Sequence, residues 1–194
     1  MGTYARISVM RASHTKTLRR GLALLSVAAA VMLTLTACGG GGEDFEFPAV
    51  KRGNNLTLVV NGLEEPEEIY YQDVDFAIYA LRPSNPDNKL VALNVQVFNG
   101  RSNTVIMNVG DEGYVLLDKK GDEYKSLNPF GEERRLSPAK PANAKFFQFI
   151  WGKFEIPKDN SIVAWLVFDV PKDVEPNQLR WNALETVFVP FYGI

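Results

Sequence analysis

The chain has 194 residues, with 21 Lys+Arg, 23 Asp+Glu, one His and one Cys. One His and one Cys exclude a His/Cys zinc site and a disulfide within the chain. The charge balance carries no basic excess of the kind that nucleic-acid binding needs, and the length fits one domain with a tail.

Arg6, Arg11, Lys16, Arg19 and Arg20 precede the apolar run Gly21 to Ala37, and no acid occurs before Glu43. Seventeen apolar and small residues are short for a membrane span and suit the core of a signal peptide. The run ends in Leu35-Thr36-Ala37-Cys38. Small residues before a Cys, directly after such a core, resemble the lipobox of bacterial lipoproteins. The resemblance implies cleavage before Cys38 and attachment of diacylglycerol to its thiol. A further acyl chain such as palmitate is expected on the new amino terminus. Two or three chains hold a protein firmly to a bilayer, where one binds only marginally. Gly39 follows the Cys, where Asp would favour inner-membrane retention. In a Gram-negative host, the expected location is therefore the outer membrane, facing the periplasm.

Removal of residues 1–37 changes the arithmetic. Five basic residues and the single His, His14, leave with the leader. The remaining 157 residues carry 16 Lys+Arg against 23 Asp+Glu, a net charge of −7. A body without His has no Ser-His-Asp triad. An acidic body is repelled by phosphate backbones, so no nucleic-acid partner is expected.

Gly39 to Gly42 is a run of four glycines, and low apolar density continues to Asn55. Residues 38–55 therefore read as the lipidated Cys and a flexible tether. Sixteen such residues have a root-mean-square reach of about 20–25 Å.

From Leu56 to the end at Ile194 the pattern is that of one all-β domain. Leu56 to Val60 and Phe76 to Leu81 are expected strands, the second stopped by Pro83 and the Asn85-Pro86-Asp87-Asn88 turn signal. In Leu90 to Phe98, Val91, Leu93, Val95 and Val97 share one face, with Asn94 and Gln96 on the other. Asn99-Gly100 ends that strand. Thr104 to Val109 and Tyr114 to Leu117 follow, and Asp118 to Asp122 forms a hairpin connection in which Gly121 supplies positive φ. Residues 127–143 read as a long loop, with one helical turn over Glu132 to Leu136. Ala144 to Trp151 and Ser161 to Val170 are the most apolar expected strands. The continuous run Ile162 to Phe168 implies burial of both faces, or of one face against the core and the other against a loop. Leu179 to Trp181 and Thr186 to Phe191 close the chain. Strands at such intervals, without a helical period, predict an antiparallel β-sandwich. A Phe-x-x-Pro-Lys-Asp pattern occurs at Phe154 to Asp159 and again at Phe168 to Asp173. Both copies read as strand ends closed by a turn.

The order of LTLVVNGLEEPEE (56–68), NKLVALNVQVFNGRSNTV (88–105), YVLLDKKGDEYKS (114–126) and IVAWLVFDVPKD (162–173) resembles a family of immunoglobulin-like domains of unknown function in bacterial lipoproteins. That family is similar in fold to immunoprotective extracellular antigens. The resemblance implies an immunoglobulin-like sandwich and no catalytic residue. The segment from Phe130 to Pro157 departs from it in being longer and more apolar.

Candidate chemistry is sparse. Glu64, Glu65, Glu67, Glu68, Asp73 and Asp75 form an acidic cluster that a hard cation such as Ca²⁺ would need, but they lack the alternating spacing of a calcium loop. The carboxylate pairs Asp111-Glu112, Asp122-Glu123 and Glu132-Glu133 lie in turn-like contexts, so a hydrolase is not expected. Strand alternation would place Phe147, Phe149 and Trp151 on one face and Phe146, Gln148 and Ile150 on the other. Arg134, Arg135, Phe146 and Ile150, with Tyr70 and Tyr71, are the candidate partner surface. The expectation is a lipid-anchored binding or scaffolding module without a cofactor, the alternative being an extracytoplasmic protein that binds a solute or Ca²⁺ through the acidic 64–75 loop. Its partners would be the membrane, through Cys38, and an envelope protein.

Overall fold

A computed structural model describes residues 45–132 and 134–192. The leader, the lipobox residues Leu35, Thr36 and Ala37, and Cys38 lie outside the described residues. Among those described there are thirteen strands: β1 (Ala49–Arg52), β2 (Leu56–Glu64), β3 (Ile69–Gln72), β4 (Ile78–Leu81), β5 (Asn88–Asn99), β6 (Thr104–Val109), β7 (Tyr114–Asp118), β8 (Glu123–Lys125), β9 (Arg135–Ser137), β10 (Gly152–Pro157), β11 (Asn160–Pro171), β12 (Pro176–Trp181) and β13 (Val187–Pro190). No helix among the described residues is long and apolar enough to cross a membrane.

The strands form four antiparallel sheets, ordered β1-β2-β5-β11, β13-β12-β7-β8, β6-β10 and β3-β4-β9. The first two face each other. Leaving out the edge strand β1, they give the arrangement A-B-E over G-F-C-C′, the connectivity of an immunoglobulin-type sandwich.

The alternation read from the sequence of β5 is the geometry observed. Val91, Leu93, Val95 and Val97 are buried in the main core, with Leu58 and Val60 of β2 and Ala164, Leu166 and Phe168 of β11. From the opposite sheet come Tyr114, Leu116, Leu179 and Trp181. Tyr114 stacks on Trp181 at 6.5 Å and meets Phe168 edge-on at 5.3 Å. The continuous apolar run of β11 is also explained. Val167 and Trp165 point the other way, where Val167 joins Leu90 and Ala92 in a second core. Ile69, Tyr71, Leu81 and Phe147 complete it. The small sheet β3-β4-β9 is thus a third layer over one half of the β5–β11 pair.

Several expectations are corrected. The domain begins before Leu56: β1 pairs with β2, from Ala49 opposite Val60 to Arg52 opposite Thr57. Phe47 packs 5.8 Å from Phe191, and Phe45 stacks 5.1 Å from Tyr192. Alternating burial was invisible there because only Ala49 of β1 is buried. The expected helical turn at 132–136 is replaced by β9. The segment 144–151 is not a strand either. The Phe147 amide donates to the Tyr70 carbonyl at 2.8 Å, and the Gln148 carbonyl accepts from the Trp165 amide at 2.7 Å. A backbone that bonds two different sheets within two residues crosses between layers and does not extend one of them. Both Pro-Lys-Asp copies are turns, with Asp159 at φ 60°. Gly121 has φ 89°, as its turn demands.

Two polar clamps fix the loops. Asn99 is fully buried, and all its polar atoms are engaged. Its amide donates to the carbonyls of Ser102 and Ile156, both at 2.9 Å, while its oxygen accepts from the Ser102 amide at 3.0 Å. Glu185 accepts from the amides of Asn54, Asn55 and Leu56 at 2.7–2.9 Å. Gly53 makes this wrapping possible, since a Cβ there would lie 2.5 Å from the Glu185 carboxylate.

Asn99→Ala and Glu185→Ala should each lower unfolding free energy by about 1–3 kcal/mol, because each strands backbone groups without partners. Urea titration checks this: an unchanged midpoint for either variant would show that the clamp is idle.

Candidate functional site

The third layer collects most of the residues singled out from the sequence. Tyr70 and Tyr71 are on β3, Arg135 is on β9, Arg134 precedes it, and Phe146 bridges to Tyr70. These segments are distant in sequence and meet only because β4 pairs with both β3 and β9.

As an exposed surface, however, the set needs correction. Tyr71 is buried: its ring packs against Tyr79, Phe130 and Phe149, and its hydroxyl donates to the Pro129 carbonyl at 2.7 Å. Burial pushes its hydroxyl above the usual phenol range. Tyr70 is buried as well, with its hydroxyl donating to Glu68. Ile150 lies in the main core. The segment there crosses between layers, so strand alternation does not apply. Phe146 and Arg135 remain exposed. Arg134 is half-buried, with its guanidinium 4.4 Å above the Tyr79 ring and 2.6 Å from the Asp73 carboxylate.

The acidic cluster is also taken apart by the fold. β3 separates Glu64–Glu68 from Asp73 and Asp75, and four extended residues span about 13 Å. Glu64 pairs with Lys145 at 2.6 Å, Glu65 with Lys89 at 2.7 Å, and Glu68 with Arg82. The hydrogen bond from Tyr70, reinforced by Arg82, holds the Glu68 carboxyl below its ordinary pKa. Glu67 is exposed. Among the described residues no group of three or more His, Cys, Asp or Glu side chains is placed to hold a metal ion. Among the described residues the six acids are therefore not gathered in one place.

What replaces them is the tip of the β3–β4 hairpin, Asp73-Val74-Asp75-Phe76. Val74 is 92% exposed and Phe76 81% exposed. Phe76 has φ 64°, a left-handed conformation rarely occupied by a bulky side chain. The Asp73 carboxylate accepts from the Val74 amide at 2.7 Å, and that of Asp75 from the Ala77 amide at 2.9 Å. The Phe76 amide donates to the Asp73 carbonyl at 2.9 Å, and the Gln72 side chain donates to the Phe76 carbonyl at 3.0 Å. Arg134 braces Asp73 from β9's side, and the Tyr79 hydroxyl reaches Asp75 at 3.2 Å. Two apolar side chains thus stand on a tip whose own polar groups are largely satisfied. From the sequence, Phe76 is expected at the start of a strand, and the structure places it in the turn before β4. The flanking aspartates were the signal for a turn.

Two open concavities lie elsewhere, beside the G-F-C-C′ sheet. One, of about 660 Å³, is lined by Asn108, Asp111, Glu123, Lys125, Arg180 and Asn182 among others. Arg180 grips Glu123 with both terminal nitrogens, one of them at 2.7 Å. The other, of about 510 Å³, shares Asn108 and Ala183 with it.

No family model and no curated protein matches the chain. Among solved structures it is similar to a putative lipoprotein (ycdA) from Bacillus subtilis, at 15% identity and a TM-score of 0.47, over 76% of this chain and 39% of that one. The chain thus spans about two-fifths of that protein's length. It is similar to an uncharacterized β-sandwich protein of Clostridium difficile, at 7% identity and a TM-score of 0.43, over 74% and 90% of the two chains. It is also similar to the secreted protein MPT63 of Mycobacterium tuberculosis, at 14% identity and a TM-score of 0.39, over 73% and 89%. The sandwich assignment rests on the strand pairings described above.

Phe76→Gly should raise thermal stability by about 0.5–1 kcal/mol, since it relieves a left-handed Phe that buries little surface. A lowered melting temperature would mean that the ring is held by contacts rather than displayed.

Proposed function

We propose that the protein is a lipid-anchored module of the bacterial envelope that acts by binding a protein partner through the β3–β4 tip. The observation that carries this reading is the tip itself: Val74 and Phe76 are exposed while the turn beneath them is tied by its own aspartates. A rigid apolar prong loses little conformational entropy on docking, and its polar groups already have partners. Apolar anchors in a partner's pocket are the usual source of binding energy.

The net charge of −7 after the leader favours a partner with a basic rim around its pocket.

Cys38→Ala should shift the protein from the membrane fraction to the soluble fraction, or stall its processing. Unchanged membrane association would mean that the apolar run is a plain anchor. A photo-crosslinker at position 76 should give a defined adduct that is lost in the Val74→Ser variant. One at Val50, which is exposed on β1, should not give it. The same adduct from both positions would refute the tip as the contact.

A further inference from the structure

β6 has one neighbour in its sheet, β10, and its other edge is bare. The Lys158 amide donates to the Asn103 carbonyl at 2.8 Å, a bond that lies in the β6–β10 register. Antiparallel pairs alternate between bonded and unbonded, so Val105, Met107 and Val109 direct their backbone groups at β10. Thr104, Ile106 and Asn108 direct theirs away from it. Pro157, opposite Thr104, lacks an N–H, as an unbonded pair allows. Among the described residues no hydrogen bond engages the N–H or C=O groups of Thr104, Ile106 or Asn108. An unpaired edge is a template for another strand, and proteins blunt such edges with charge or Pro. β10 carries Lys153, Glu155 and Pro157, and β8, at the end of its sheet, carries Glu123 and Lys125. β6 reads Thr-Val-Ile-Met-Asn-Val, without charge, Pro or Gly, and its Ile106 is 54% exposed.

This edge is complementary to itself. Laid antiparallel against a second copy with Ile106 opposite Ile106, it sets Thr104 opposite Asn108 on either side. Every outward N–H then meets a C=O. A register shifted by two residues leaves one of the three residues unpaired. The two Ile106 side chains form a β-branched pair across the two-fold axis, which closes the assembly at two copies. The same register brings the turn holding Arg101 against the turn holding Asp111, once at each end. Both side chains are exposed, and among the described residues neither is in a salt bridge. Arg101 spends one donor on the Asn54 carbonyl at 3.1 Å and keeps others. A foreign strand would satisfy the same backbone groups, but a second copy also supplies an Asp111 for each Arg101. The concavity bordered by Ile106, Met107, Asn108 and Ala183 leaves space beside the strand. We infer that β6 is a homodimer interface, across which the β6–β10 ribbons of two copies join into one antiparallel sheet. This contact is separate from the β3–β4 tip and does not depend on a lipid at Cys38.

The test is disulfide trapping in the full chain carrying Ile106→Cys. Opposed bonded residues of an antiparallel pair have Cα atoms about 5.5 Å apart, within reach of a disulfide. Mild oxidation should give a covalent dimer. Val163→Cys, at a similarly exposed position on β11 (52%), should not. Adding Asp111→Arg to the Ile106→Cys chain should lower the dimer yield about tenfold, because it sets like charges against each other at both ends. A further Arg101→Asp should restore the yield. All three positions are exposed, and thermal melting checks that each variant is folded. No dimer from the folded Ile106→Cys chain, an equal yield from Val163→Cys, or no recovery in the charge-swapped variant would overturn the inference.

Discussion

The pairing of β5 with β11 is the constraint on which the rest depends. Twelve residue pairs join the two strands, from Asn88 opposite Pro171 to Asn99 opposite Asn160. Along Leu90–Leu93 of β5 and Leu166–Phe168 of β11 both faces are buried, one in each core. A register slip of one residue exchanges the two faces of a strand. In the half that includes Leu90 to Leu93 such a slip would still bury apolar side chains. In the other half it would bring Asn94 and Gln96 into the main core. Those two residues hold the register. Gln96 donates to Ser161 at 2.9 Å, and Asn94 accepts from Asn61 at 3.0 Å.

The third layer exists because that double burial needs a cover. Leu90, Ala92, Trp165 and Val167 would otherwise face water. Each fully buried large apolar side chain contributes about 1.5–3 kcal/mol, which is enough to order a short hairpin that could not stand alone. β3 and β4 are four residues each, and a two-stranded ribbon of that size is marginal by itself. Tyr71 and Phe147 fasten the ribbon to the sandwich, and Arg134 ties it to the segment leading into β9. The tip is rigid as a consequence of this docking. The functional reading and the fold are connected through the same few contacts.

Strands with a clear polar face were legible in the sequence. Val91, Leu93, Val95 and Val97 alternate with polar residues near the end of β5, and the Asn-Gly pair marks its end. The doubled burial of β11 was visible as an unbroken apolar run. β1 and β3 were not legible, because a four-residue strand flanked by charges has too few turns of the pattern to register. The aromatic run at 146–150 misled because composition alone favoured a strand. Its backbone partners belong to two different sheets, which no local pattern encodes. Of the residues singled out, Arg134, Arg135, Phe146, Tyr70 and Tyr71 meet in one layer, while Ile150 goes to the main core. Which of them are buried was decided by tertiary contacts. The prong was missed because the positive φ of Phe76 leaves no mark in residue type. The two concavities beside the G-F-C-C′ sheet left no mark in the sequence because their walls come from β6, β7, β8, β10 and β12, which adjoin only in the folded sheets.

Hydrogen exchange of the full chain, read amide by amide, separates the sandwich from its third layer. The paired amides of β5 and β11 should exchange slowest, through global unfolding. Those of β3, β4 and β9 should exchange faster, as one unit that opens while the sandwich stays closed. Equal protection of the third layer and the β5–β11 pair, or faster exchange in β5 and β11 than in β3 and β4, would contradict that order.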